Sequence, residues 1–194
     1  MKTIKLISLS VLVILLPFLF TGCDAVDKLT TINIPLDAAF DIPFSVDPEL
    51  RSTSDDPFYH FSGESTISLN SPGFNQLSNY KGLPISLLLT DVKLKVTSKD
   101  GSGTTVKNFA SSTKEGTTSI ANYTKEAPVS LNTEFSEVAL TNYLKKAITA
   151  VQDGKTVTLD VNGDTDIVPS EIEGVEVGVV TLICTITAQV SLTK

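Results

Sequence analysis

The sequence predicts an all-β protein, an antiparallel β-sandwich with one amphipathic helix. Apolar and polar residues alternate along several segments, which is typical of strands with one buried and one wet face. Residues at about 137–152 instead carry apolar side chains at helical spacing. Turn-forming residues separate the alternating segments. A β-barrel or a lipocalin-like cup is the alternative arrangement.

The first part of this domain predicts two strands. Apolar residues at 32–36 and again at 40–46 indicate the first strand, and a change of phase near Asp37-Ala38 predicts a bulge, a turn or a crossing between sheets. Pro35 favours an edge position because proline has no backbone N–H to donate. Polar residues at 48–57 predict a loop. A second alternating row, at 61–69, predicts the next strand.

The middle of the chain carries a weaker pattern. Residues 85–96 predict a long strand whose buried parity slips once, as a β-bulge would cause. A glycine-rich turn at 100–103 predicts that 106–109 return as the hairpin partner of that strand. The segment 111–127 is polar, and we expect it to be weakly structured.

The C-terminal part gives the clearest signals. Ser136 is the expected cap of the helix, and Gly154 is expected to end it in a left-handed conformation. Residues 157–161 predict a short strand, and 180–192 predict a long one with strict alternation. Gly178, where the parity changes before this last strand, predicts a bulge.

Residues 1–22 predict a signal peptide that is removed. Lys2 and Lys5 precede an apolar run at 6–20, which as a helix would extend about 22 Å, short of the ~30 Å hydrocarbon core of a membrane. Acidic residues rather than a positive cluster follow the run, so the pattern does not indicate a spanning helix with a stop-transfer signal.

The end of this segment, Phe20-Thr21-Gly22-Cys23, resembles the signal of bacterial lipoproteins, whose box closes on a small residue and the cysteine that receives lipid. Phe20 stands where leucine is usual. The resemblance implies cleavage before Cys23 and a membrane anchor of fatty chains on Cys23, because a thiolate is a strong nucleophile. An ordinary signal peptide cut nearby, with Cys23 an incidental thiol, is the rival interpretation.

The same resemblance implies a domain plan and a location. Residues 23–30 are expected to be a lipid-anchored tether, while the strand pattern, and not the resemblance, predicts a single β-sandwich domain at 31–194. The expected location is the bacterial cell envelope, with the outer membrane favoured over the inner. Asp24 resembles the inner-membrane retention signal of enterobacteria, whereas other lineages sort differently.

Composition excludes several classes of protein. Without residues 1–22 the chain has 194 − 22 = 172 residues, and its charge is 13 basic minus 22 acidic residues, or −9. The sequence contains no basic cluster, which argues against nucleic acid as a partner and against electrostatic docking on anionic lipid. With Cys23 acylated, Cys184 is the remaining thiol, so a disulfide framework is excluded.

One acidic segment has the spacing of a metal site. Oxygen-bearing side chains fall at positions 1, 3, 5, 7 and 12 of a segment that resembles the calcium loop of EF-hand proteins: Asp160, Asn162, Asp164, Asp166 and Glu171. Thr165 stands where the loop glycine is expected, and a strand precedes the segment instead of a helix. A turn without metal is therefore favoured over calcium, and no other cofactor is predicted.

Other candidate residues favour structural roles. His60, with Asp55, Asp56 and Ser62 nearby, lacks the arrangement of a hydrolase triad. Glu171, Glu173 and Glu176 are expected to form a solvated edge rather than a glycosidase pair. Cys184 lies in the apolar row of the last strand, where we expect a small core side chain.

These observations predict a non-enzymatic envelope lipoprotein that acts by binding an envelope protein or a ligand, or as a structural module. One alternative is a pilin-like or adhesin subunit, since some fimbrial subunits are exported as lipoproteins, trimmed after a basic residue and assembled by strand exchange. Arg51, the sole arginine, would be the trimming site. The other alternative is a carrier of a small apolar ligand.

Overall fold

The structure, a computed structural model, describes residues 31–51, 57–72, 74, 76, 85–169 and 174–191. Eight strands and one helix lie in these ranges: β1 (Thr31–Arg51), β2 (Tyr59–Ile67), β3 (Ile85–Ser98), β4 (Thr105–Glu115), β5 (Thr118–Lys125), β6 (Val129–Ser130), α1 (Val138–Gln152), β7 (Val157–Thr165) and β8 (Glu176–Ser191). Residues Thr31–Lys194 form one compact unit.

All the strands belong to one antiparallel sheet with the order β3-β8-β1-β2-β7-β4-β5, and β6 pairs with β4. The sheet curls into a half-barrel. The predicted all-β antiparallel fold with one helix is therefore confirmed, and a single curled sheet supplies both of its facing walls. Strand β8 pairs with residues 31–45 of β1, whereas β2 pairs with residues 44–51 of β1. Among the described residues, Pro35 therefore has a paired strand on one side only.

Two segments close the half-barrel between its outer strands. β6 pairs with the start of β4, and a little further along Asn132 donates its N–H to the Val96 carbonyl of β3 at 2.8 Å. Phe135 and Leu94 then exchange two backbone hydrogen bonds of 2.9 and 3.0 Å. Helix α1 follows and contacts β3 and β5, so it covers the opening that the sheet leaves between these strands.

Helix α1 buries one face, as the sequence predicts. Its buried residues are Leu140, Tyr143, Leu144, Ala147, Ile148, Ala150 and Val151. Gly154 follows the helix with φ +82°, which confirms the predicted left-handed end. The predicted cap at Ser136 is wrong, because Glu137 is the N-cap residue and its backbone carbonyl accepts the Thr141 N–H.

Both ends of the helix are fastened to outer strands of the sheet. The Glu137 carboxylate accepts hydrogen bonds from the Tyr123 hydroxyl and the Lys125 ammonium of β5, each at 2.6 Å. The hydrogen bond from Lys125, and to a lesser extent the one from Tyr123, lowers the pKa of Glu137 below its usual value. At the other end, the Gln152 amide donates to the Ile85 carbonyl of β3. The helix therefore ties β5 to β3 across the opening.

Five aromatic rings form a continuous chain inside the half-barrel. Neighbouring centroids lie 4.7, 6.5, 6.1 and 6.0 Å apart, within the range of favourable ring pairs. The chain runs from β1 through β2, β4 and β5 to α1 and consists of Phe44, Phe61, Phe109, Tyr123 and Tyr143.

Glycines make room for these rings on the neighbouring strands. A Cβ built on Gly178 would lie 2.2 Å from Cζ of Phe44, and one on Gly163 would lie 2.8 Å from Cε1 of Phe61. Each ring thus fills the space that a side chain would otherwise occupy.

Two of the three predicted irregularities are confirmed. The change of phase expected near Asp37-Ala38 is wrong, because β1 pairs with β8 in unbroken register from Thr31 to Phe44. The register of β3 shifts between Thr90 and Lys93, where Asp91 has φ +49°. The register of β8 against β1 shifts at Gly178, which pairs with Phe44 while the next pair joins Ser45 to Glu176. Both bulges were visible in the sequence because each reverses the parity of the buried side chains.

Two predictions for the middle of the chain are wrong. Residues 111–127 are not weakly structured, since β4 and β5 form a hairpin there. Residues 106–109 do not pair with β3, because β4 lies between β7 and β5. The alternation of apolar and polar residues cannot be recognised in the sequence of β4, because two of its buried positions carry the polar residues Ser111 and Thr113. Ser111 is satisfied inside by the Tyr143 hydroxyl at 2.6 Å and by the Asp160 carbonyl at 2.9 Å.

We predict that Gly178→Ala lowers the free energy of unfolding by about 1–3 kcal/mol, the usual cost of overpacking. The new methyl group would overlap the Phe44 ring and the Thr97 carbonyl. Gln189→Ala on the outer face of the same strand is the control, with a change expected within about 0.5 kcal/mol. Urea unfolding of both variants measures the difference, and equal midpoints would contradict the close packing of Phe44 on this glycine.

Candidate functional site

The acidic segment predicted as a turn or calcium loop is a strand. Asp160, Asn162 and Asp164 are alternate residues of β7, and Asp166 follows its end. Alternate side chains of a strand point the same way at about 6.6 Å intervals and do not wrap around one ion. Glu171, the predicted fifth ligand, lies outside the described residues. The loop geometry that suggested calcium is therefore wrong for the four ligands that the structure describes.

The carboxylates of β7 bond to neighbouring strands. Asp160 accepts a hydrogen bond from Ser112 at 3.1 Å and pairs with Lys114 at 2.7 Å, both of β4. Asp164 accepts from the Asn108 side-chain amide at 2.8 Å and lies 3.4 Å from Nδ1 of His60. These contacts hold β7 against β4 and β2. No group of three or more His, Cys, Asp or Glu side chains placed to hold a metal ion occurs in the described parts of the chain.

Asp166 fastens the turn before β4 to the end of β7. Its carboxylate accepts the backbone N–H groups of Thr104 and Thr105, each at 2.8 Å, and the Thr104 hydroxyl at 2.7 Å. Burial acts to raise the pKa of Asp166, but these hydrogen bonds together outweigh it and lower the pKa below its usual value. Gly103, with φ +75°, lets the turn approach Ile167 closely. The role of Asp166 is structural.

A shallow groove of about 380 Å³ lies on the outer face of β2 and β7. Its lining includes His60, Ser62 and Glu64 of β2 opposite Asp160 and Asn162 of β7. Glu64 and Asp160 are cross-strand partners in register, an arrangement of like charges that Lys114 offsets by its ion pair with Asp160. The groove presents carboxylate, imidazole, hydroxyl and amide groups beside exposed carbon surface, which suits a ligand or a protein surface that carries hydrogen-bonding groups.

The remaining predicted residues occupy separate places. Cys184 is a free, buried thiol, and burial raises its pKa to about 12, with the charge of Asp37 adding to the effect. It is therefore a protonated core side chain at neutral pH. Glu176 pairs with Lys99 at 2.6 Å, while Glu173 and the predicted lipid-bearing Cys23 lie outside the described residues.

A second groove, which sequence reasoning missed, runs along the C-terminal half of α1 beside β5. Its volume is about 620 Å³, and its lining residues are Ile120, Asn142, Lys145, Lys146, Thr149, Ala150, Asp153 and Lys155. Lys155 pairs with Glu115 at 2.6 Å. Lys145 and Lys146 are exposed, and no ion pair is found for them in the part of the chain that the structure describes. We call this surface the lysine groove.

The lysine groove concentrates positive charge on an acidic protein. The adjacent residues Lys145 and Lys146 were the one feature of the sequence that could have indicated this groove, but two lysines do not make a basic cluster. Lys155 joins them because the chain turns at Gly154, and β5 supplies the opposite wall with Ile120. Ile120 and Ala150 give the groove an apolar portion between its cations. An anionic group attached to an apolar body fits this chemistry.

Comparison with protein-family models, with curated proteins and with solved structures finds no match for the chain. Within the described ranges, no helix is long and apolar enough to cross a membrane.

We predict that Asp166→Asn lowers the free energy of unfolding by about 1 kcal/mol at neutral pH, because the amide reproduces the carboxylate's hydrogen bonds incompletely. The folded pKa of Asp166 lies below its unfolded value. Its contribution is thus present above the usual carboxyl pKa and is lost as pH falls through the folded value. The difference between variant and native protein should shrink at acid pH.

Chemical unfolding of both proteins at several pH values measures this difference. Glu126→Gln is the control, because Glu126 is an exposed residue between β5 and β6 whose carboxylate has no hydrogen bond or ion pair with another described residue. A penalty for Asp166→Asn that stays constant from neutral to strongly acid pH would show that the charge of Asp166 does not stabilise the turn.

Proposed function

We propose that the protein is a lipid-anchored lipoprotein of the bacterial cell envelope, a non-enzymatic module that binds an envelope protein or ligand through its surface. The observation that carries the proposal is the order of a short basic start, an apolar run and Phe20-Thr21-Gly22-Cys23. Lipid on Cys23 would be the membrane attachment, and the outer membrane is favoured over the inner.

The position of the first strand supports a tethered domain. β1 begins at Thr31, which is 31 − 23 = 8 residues after Cys23. Eight residues span at most about 28 Å when fully extended. A lipid on Cys23 would therefore keep the half-barrel close to the bilayer surface.

The polar groups of the outer face support a role in binding rather than catalysis. Asp160 and Asp164 are engaged by Lys114 and Asn108, and the one histidine faces Asp164. Cys184, a possible nucleophile, is buried with a raised pKa. The two carboxylates hold strands together, and His60, whose side chain is 43% exposed, contacts Asp164 of the neighbouring strand.

A carrier of a small apolar ligand would need space inside the half-barrel. The aromatic chain and the side chains around it occupy that interior, and Phe44, Phe61, Phe109, Leu144 and Leu159 are each at most 1% exposed. Surface binding is therefore favoured over an internal ligand.

We predict that Cys23→Ser moves the protein from the membrane to the soluble fraction. Two or three acyl chains hold a protein durably, and serine does not form the thioether that attaches them. Cys184→Ser is the matched control and should remain with the membrane, because Cys184 is a buried core thiol. Fractionation followed by immunoblotting measures both, and a Cys23→Ser protein that still sediments with membranes would overturn the anchor.

One observation supports the pilin-like alternative. Arg51 is the last residue of β1, and β1 lies between β8 and β2 in the sheet. Cleavage after Arg51 would separate from the domain a strand with six residues in the core: Leu36, Ala38, Phe40, Ile42, Phe44 and Val46. A strand from another subunit would then have to fill the gap, as in strand-exchange assembly.

The N terminus of protein isolated from cells distinguishes the two functions. The lipoprotein proposal predicts acylated Cys23 as the first residue, because β1 is needed to complete the sheet. Mass spectrometry of the N-terminal peptide makes the measurement, and mature protein that begins at Ser52 would instead establish trimming after Arg51.

A further inference from the structure

We infer that the lysine groove is a docking surface for the acidic headgroups of the bilayer to which the chain is tethered. This inference rests on the proposed lipid anchor at Cys23. It adds an orientation to that anchor, with the C-terminal half of α1 facing the membrane. It departs from the expectation drawn from the sequence, which has no basic cluster, because only the fold places Lys155 beside Lys145 and Lys146.

The first step is the position of the groove relative to the tether. Ile32, the second residue of β1, pairs with Val190 of β8, and Val190 pairs with Ile85, the first residue of β3. The Ile85 carbonyl accepts a hydrogen bond from Gln152, the last residue of α1. The start of β1 and the end of α1 therefore lie at one end of the half-barrel, which we call the tether end.

The second step is the charge of the lysine groove. Glu115 neutralises Lys155 at 2.6 Å, and Asp153 is the carboxylate among the lining residues. Lys145 and Lys146 are left as exposed cations on the helix. The protein without its signal peptide carries 13 − 22 = −9 charges, so an anionic surface repels most of it. The orientation of least repulsion turns the lysine groove toward the lipid.

The third step is the apolar surface near the same end. Ile32 is 40% exposed and Leu88 of β3 is 52% exposed. Ile120, which is partly buried, contributes apolar surface within the groove itself. Lysine cations on the helix and exposed aliphatic side chains on strands near the same end are compatible with a surface that lies on a bilayer, because headgroups take the charges and the interface takes the apolar groups.

The test uses the native lipidated protein reconstituted in two kinds of vesicle, phosphatidylcholine alone and phosphatidylcholine mixed with anionic phosphatidylglycerol. Acetylation of lysine amines, read residue by residue by mass spectrometry, measures access. We expect Lys145 and Lys146 to react roughly fivefold more slowly on the anionic vesicles. Lys95 and Lys99, at the opposite end of β3, should react equally on both. High salt should abolish the difference.

Matched charge reversals provide the controls. Lys155 lines the same groove and should also react more slowly on anionic vesicles. Lys145→Glu with Lys146→Glu should remove this protection of Lys155. The control variant combines Lys95→Glu and Lys99→Glu with Glu176→Lys, which keeps the ion pair of Lys99 in reversed order. It alters charges at the opposite end and should leave the protection of Lys145 and Lys146 in place. Lys95→Glu alone should do the same. A control variant that loses this protection would show that net charge, and not the groove, sets the orientation.

The outcomes separate this inference from the proposed function. The mass of the N-terminal peptide in the same samples reports whether Cys23 carries acyl chains, and a bare thiol overturns the anchor together with the docking. If Cys23 is acylated and Lys145 and Lys146 react equally on both vesicles, the docking surface is wrong and the anchor stands. If Lys145 and Lys146 instead react more slowly on phosphatidylcholine vesicles than on the anionic vesicles, another copy of the protein covers the groove. That result also overturns lipid docking.

Discussion

The chain of aromatic rings that crosses the half-barrel determines how the rest of the structure is arranged. It joins β1 to α1 through β2, β4 and β5, with centroids 4.7 to 6.5 Å apart. A single curled sheet has a concave side that must be filled, and large rings bury much apolar surface at few positions. The glycines at 163 and 178 allow the rings to lie directly against the strands.

The closure of the sheet by helix α1 depends on the same buried aromatic rings. β3 and β5 are its outer strands, and the helix joins them through Glu137 on one side and Gln152 on the other. Tyr123 and Tyr143 belong both to the ring chain and to the helix contact. The helix therefore completes the core and also covers the free side of β5, where an exposed strand edge would be open to pairing with other chains.

The polar residues of the protein surface form two kinds of region, one around β7 and one along α1. Around β7, acidic side chains are matched by residues of β4 and β2, which makes the region a structural network with a shallow polar groove above it. Along α1, Lys145 and Lys146 have no such partners among the described residues and line a groove of about 620 Å³. Matched charges stabilise the sheet, while exposed cations remain available to a ligand.

The sequence alone determined the class of fold, the helix, both bulges and the alternation of β8, because each is a local pattern in which neighbouring side chains share or change a face. It also carries the pattern from which we propose a signal peptide and a lipid on Cys23, and that proposal depends on no tertiary contact. It failed at β4, where Ser111 is buried against Tyr143 and so breaks the apolar alternation. It failed again at Asp160, where spacing suggested a loop but pairing with β2 and β4 made a strand.

Tertiary structure alone decided the order of the strands, the partners of the charged side chains and the assembly of the lysine groove. Ile120 and Lys146 are distant in sequence and become neighbours because α1 packs across β5. Such contacts depend on which surfaces bury each other best, and no local period of the sequence records that choice.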